Sequence, residues 1–155
     1  MKRKVGFTLV ELIAVLAIIG TGASLFFSTF LLNWEYFEKE VVRVNLQQEA
    51  TEILTKLCSE VRFAQSIDIS ADSKTLTISY PTGNSIVYTF TPSGQLQRIE
   101  GTTTTIVCED IDYNNSSFTQ GDSNSLIINL KLIEDVFGES VNIVVSTQLF
   151  PRNSV

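Results

Sequence analysis

Between Phe7 and Leu32 the chain runs FTLVELIAVLAIIGTGASLFFSTFLL, twenty-six residues in which the single charge is Glu11. As an α-helix this run is about 39 Å long at ~1.5 Å per residue, against a bilayer core of ~30 Å, so it is long enough to span a membrane with some tilt. A basic leader, MKRKVG, precedes it, and a net acidic stretch, NWEYFEKE, follows from Asn33 to Glu40. The positive-inside rule then places the N-terminus in the cytoplasm and exports everything after Trp34. Trp34, Tyr36 and Phe37 fall where an interfacial aromatic belt would sit.

A secretory signal peptide would divide the same residues differently, with Lys2 to Lys4 as its charged region, Leu12 to Ile19 as its apolar region and a cut after Ala23. Two features argue against that division. The apolar run resumes after Ala23 with LFFSTFLL, and a carboxylate stands inside it. A carboxylate is costly within a bilayer, and one found there ordinarily has a partner and a task.

The segment Gly6-Phe7-Thr8-Leu9-Val10-Glu11-Leu12, behind its short basic leader, closely resembles the cleavage and assembly signal of type IV pilins and type II secretion pseudopilins. The resemblance implies a prepilin peptidase that cuts after Gly6 on the cytoplasmic side and methylates the new N-terminus at Phe7. It also implies a partner for Glu11, the N-terminal amine of an adjacent subunit entering the filament. Opposite charges attract strongly in a medium of low dielectric while each alone is costly, so such a pair can select the vertical register of neighbouring helices.

Gly20 and Gly22 lie mid-helix, where each is destabilising by roughly 1 kcal/mol relative to alanine. They fit either close packing of small residues between membrane helices or, as the resemblance implies, a place where the helix loosens during assembly. Shaft-building members of the family often carry a proline deeper in this helix. Here the prolines are Pro81, Pro92 and Pro151.

From Asn33 to Ser66 there is no proline or glycine, and apolar residues recur at Leu46, Ala50, Ile53, Leu54, Leu57, Val61 and Ala64. Spacings of three and four predict an amphipathic helix with one apolar stripe, continuous with the membrane run and about 90 Å long over some 60 residues. After Ile67 the period changes to two. Leu76, Ile78 and Tyr80, then Ile86, Tyr88 and Phe90, alternate with polar residues around turns at Pro81 to Asn84 and Pro92 to Gly94, which predicts a three-stranded meander closing over Gln95 to Ile99. Further strands are expected at Thr104 to Cys108, Ser125 to Ile133 and Val141 to Phe150. The expected fold is α+β, a long N-terminal helix packed on a C-terminal antiparallel β-sheet head. Its expected divisions are a leader over residues 1–6, a transmembrane or filament-core helix over 7–32, an amphipathic helix over 33–66 and a head over 67–155.

The pattern Val61-Arg62-x-Ala64-x-x-Ile67, with Tyr88, Leu96-x-Arg98 and Phe150-Pro151-Arg152-Asn153, resembles the minor pilins and pseudopilins labelled J or W. That resemblance implies a minor subunit located at a filament tip.

Composition narrows the chemistry. The sequence has no histidine, which removes the commonest general base and metal ligand and every Ser-His or Cys-His nucleophile pair. There are 11 Lys and Arg against 17 Asp and Glu, and three of the bases sit in the first six residues, so the remainder is strongly anionic and disfavours a direct grip on nucleic acid. No Gly-rich phosphate loop occurs. Neither an enzyme nor a cofactor is expected.

Cys58 and Cys108 would both be exported, so they fit either a disulfide clipping sheet to helix or two buried thiols acting as small hydrophobes. Asp110-Ile-Asp112-Tyr-Asn114-Asn-Ser116 starts like a calcium loop, but Asn115 stands where glycine is needed and Gly121 where a bidentate glutamate belongs. An irregular site around Glu109, Asp110, Asp112 and Asp122 competes with a solvated polar loop.

The partners implied are therefore the prepilin peptidase and methylase, other pilin or pseudopilin subunits, an inner-membrane assembly platform and the membrane itself. The resemblance places the chain in the cytoplasmic membrane before assembly, with its head outside. An alternative is a membrane-tethered module whose sheet binds an extracellular ligand, with Glu11 incidental.

Overall fold

A computed structural model of the protein describes residues 8–122 and 125–151; Gly6, Phe7, Arg152 and Asn153 lie outside them. The chain forms two units divided after Glu40. A single helix, α1 (Leu9–Arg62), runs through that division. Every residue from Thr8 to Phe37 is exposed, including the whole apolar run that follows Thr8. By length and composition α1 is able to cross a membrane.

In the second unit, α1 buries Leu46, Ala50, Ile53, Leu57 and Val61, the stripe expected from three-and-four spacing. Leu54 is only half-buried, because it turns toward a groove at the flank of the helix. The helix ends at Arg62, four residues short of the expected Ser66, and the chain enters β1 (Ser66–Ile69).

The strands form two antiparallel sheets rather than one. The first takes the order β1, β2 (Thr75–Ser79), β3 (Ser85–Phe90), β4 (Leu96–Glu100), β5 (Thr103–Cys108), so the expected meander is its centre and β1 and β5 extend it on either side. Its inner face carries Leu76, Ile78, Ile86, Tyr88, Phe90 and Leu96. Gly94, in the turn before β4, has φ +82° and the Ile111 carbonyl 3.1 Å from where a Cβ would stand, so a side chain there is excluded twice over.

The second sheet is β6 (Ser117–Gln120), β7 (Leu126–Val136) and β8 (Glu139–Leu149). Alternate residues of β7, from Leu126 to Leu132, are buried, as period-two alternation requires. Phe90 and Phe118 stack with ring centroids 4.6 Å apart and join the two sheets in one core with the helix stripe.

Candidate functional site

The helix start is built by two side chains. The Thr8 hydroxyl accepts the Glu11 backbone N–H at 3.3 Å, while Glu11 Oε2 accepts the Thr8 backbone N–H and the Thr8 hydroxyl, each at 2.9 Å. The Thr8 carbonyl takes the first helical bond, from the Leu12 N–H at 3.2 Å. This is a capping box, in which an N-cap threonine and a glutamate three residues on satisfy otherwise orphan backbone donors. Thr-x-x-Glu at the head of an apolar run is its sequence signature, and Thr8 is the N-cap that completes it with Glu11. Glu11 thus has a partner within its own chain, and its carboxylate is held at the mouth of the helix.

Further along the exposed apolar stretch the polar side chains turn inward on the helix itself. Thr21 donates to the carbonyls of Ala17 and Ile18, Ser28 to that of Ser24 and Thr29 to that of Leu25, at 2.9 to 3.1 Å. Satisfied this way, the hydroxyls can enter an apolar medium at reduced cost. At Gly20 and Gly22 nothing among the described residues lies within 4 Å of where a Cβ would point, so no contact among them requires these glycines.

In the head, the helix is tied to the first sheet by a polar cluster. Glu60 accepts the buried Tyr88 hydroxyl at 2.7 Å and Arg98 Nε at 3.0 Å, and Arg98 Nη1 also donates to Glu100 at 2.8 Å. Burial, reinforced by the bond to the Glu60 carboxylate, pushes the Tyr88 phenol well above its usual pKa, so it stays a donor. Tyr88 and Arg98 belong to the J-or-W-like pattern, as do Val61, Ala64 and Leu96, which are buried core residues. Glu60, which binds both, was not singled out from the sequence because its neighbours in space are 28 and 38 residues away.

The two cysteines are free thiols, Cys58 exposed and Cys108 buried, and the considered disulfide is not formed. Helix geometry gives the reason. Cys108 lies beside Glu49, and Cys58 comes nine residues later on α1, about two and a half turns, which carries it to the opposite face. Burial is the main cause of a Cys108 pKa raised to about 12, so at neutral pH it is a protonated, inert thiol.

In the acidic loop where a calcium site was weighed at Asp110 and Asp112, Asp112 has partners within the chain. Asp112 Oδ2 pairs with Lys131 Nζ at 2.9 Å and accepts Asn115 Nδ2 at 2.8 Å. Lys74 Nζ lies 4.6 Å from the centroid of the Tyr113 ring and donates to the carbonyls of Tyr113 and, at 2.6 Å, Ser116. Ammonium groups of the chain itself thus take one Asp112 carboxylate oxygen and the Tyr113 and Ser116 carbonyls. Among the described residues no three His, Cys, Asp or Glu side chains come together to hold a metal.

These features define a protein with a membrane-type N-terminal helix and an α+β head. Residues 1–27 match the family model of the prokaryotic N-terminal methylation motif, so the chain carries the signal of type IV pilins and pseudopilins. No curated protein and no solved structure matches the chain.

Proposed function

We propose that the protein is a structural, non-enzymatic subunit of a type IV pilus or type II secretion pseudopilus, of the minor kind. Prepilin peptidase cleaves it between Gly6 and Phe7 and methylates Phe7, and its helix then passes from the cytoplasmic membrane into a bundle of neighbouring helices. The head stays outside the cytoplasm throughout. One observation carries this reading. The methylation motif leads directly into a helix whose apolar residues are exposed from Leu9 through Leu32, a surface that needs lipid before assembly and other helices after it. The Val61, Tyr88, Leu96 and Arg98 pattern supports the minor class.

The intact mass of the exported protein tests the reading. A methylated chain beginning at Phe7 is the expected result. An uncut chain beginning at Met1 points to a tethered module instead, and one beginning at Ser24 to ordinary secretion; either overturns it.

A further inference from the structure

The edge strand β8 pairs with β7 alone, in an unbroken register that runs from Val136↔Glu139 to Leu126↔Leu149. On the far side of β7 the Ile133 N–H donates to the Asp110 carbonyl and the Asp112 N–H to the Lys131 carbonyl, each at 2.9 Å. Ile133 and Lys131 therefore turn their backbone groups away from β8. In an antiparallel ladder the residues opposite them, Asn142 and Val144, turn theirs away from β7, and the alternation extends this to Ser140, Ser146 and Gln148. All of these residues are exposed, and among the described residues no backbone group pairs with their outward row.

A row of unpaired N–H and C=O groups is a template for another strand, so edges are ordinarily kept short, bulged, charged or interrupted by proline. The other edges of the head follow that rule. β1 and β6 have four residues each, and β5 has six with a register shift in its ladder. β8 has eleven, and from Ser140 to Leu149 it carries no charge, no proline and no bulge. Its inward face is unfinished as well. Leu126, Leu130 and Leu132 on β7 are at most 1% exposed, whereas Leu149, Val145 and Ile143 opposite them are only partly buried. Beside this row a groove of about 410 Å³ opens between α1 and β8, with Leu54, Cys58, Thr147 and Leu149 in its lining.

One occupant meets both needs. Donors and acceptors spaced along an extended edge are satisfied together only by another extended backbone, and a half-covered apolar row beside them by side chains at every second position of that backbone. We infer that β8 is completed by an extended segment of a different polypeptide, a neighbouring subunit, whose alternate residues are apolar and cover Ile143, Val145 and the groove at Leu149. A second copy is the poorer occupant, because two β8 edges joined to each other close a two-fold pair, whereas a minor subunit has neighbours of other sequence. The source of the segment rests on the filament-subunit reading; the open edge belongs to the head alone.

The test uses the full chain in cells that assemble the filament, with p-benzoylphenylalanine placed singly at positions 140, 144 and 148. Photocrosslinks from all three are expected on one segment of one other polypeptide, displaced by about four residues from each probe to the next, as paired strands of equal rise require. That segment is expected to alternate apolar and polar residues. Val144→Pro removes an outward N–H and leaves the β7 ladder intact. It is expected to cut crosslinking from positions 140 and 148 several-fold, whereas Val144→Thr, which keeps the N–H, leaves it unchanged. Crosslinks only to lipid or to a second copy, crosslinks without the four-residue progression, no crosslinks, or yields indifferent to proline in a head of unchanged urea midpoint overturn the inference. Where proline unfolds the head, the progression of the three crosslinks decides alone. N-terminal masses are read on the same samples. A methylated Phe7 start without these crosslinks fails the inference alone, whereas an uncut Met1 fails the filament reading.

Discussion

Asp112 shows how single residues hold the loop between the two sheets. Its hydrogen-bonded pair with Lys131, helped by Asn115, holds its carboxyl at about 2, below the ordinary value of 3.8. A depressed folded pKa means that the unfolded chain binds the proton more tightly. The stabilisation is therefore complete above the ordinary value and is lost as pH falls toward 2. Asp112→Asn is expected to lower the urea midpoint of the full chain in detergent at neutral pH, by an amount that shrinks below about pH 4 and disappears near pH 2. A difference that stays constant down to pH 2 would show that the carboxylate charge is irrelevant. Asp112 was visible in the sequence as a ligand-like oxygen in an alternating acidic run, but its partners were not. Lys131 follows it by nineteen residues, in the middle of a strand whose alternation draws attention to the buried Leu130 and Leu132 on either side.

At the scale of elements, the second half of α1 contributes through burial. Leu57 is 1% exposed in the core, whereas Val44, two residues before the buried stripe that runs from Leu46 to Val61, is 47% exposed on another face. Leu57→Ala is expected to destabilise the head by ~2–5 kcal/mol, through lost transfer energy and the cavity left behind. Val44→Ala should stay within about 0.5 kcal/mol. Chemical unfolding of both variants in detergent checks the contrast, and equal losses would refute the assigned packing face. This helix was the most legible element, because its spacing alone separated Leu46, Ala50, Ile53, Leu57 and Val61 from their polar neighbours. The central meander was legible for the same reason at period two. What escaped were β1 and β6, four residues each and too short to display a period. The division into two sheets escaped as well, since strand order depends on contacts such as Phe90 with Phe118 that lie far apart in the chain. Thr-x-x-Glu at the helix start is legible in the sequence as a capping box, a local role for Glu11 beside that of a charge in an apolar run.

For the whole molecule, Glu11 has two roles to separate. Within one chain it completes the capping box with Thr8, and between chains the filament reading asks it to answer a neighbour's terminal amine. Alanine cannot distinguish these roles, because it removes the capping acceptor and the charge together. Glutamine can, since it serves at the same position of a capping box yet carries no charge. If charge pairing governs docking, Glu11→Gln and Glu11→Ala should both be cleaved at Phe7 at wild-type levels and both be depleted several-fold from sheared filaments. Thr8→Val, which removes the hydroxyl and leaves the carboxylate, should assemble far better than either. Quantitative immunoblots of the membrane and filament fractions, with N-terminal masses from each, make the comparison. If Glu11→Gln assembles normally while Glu11→Ala and Thr8→Val both fail, the helix start, and not an ionic bond between subunits, is what assembly requires. The reason for retaining an acidic side chain at the edge of a bilayer would then lie in the folding of the single chain.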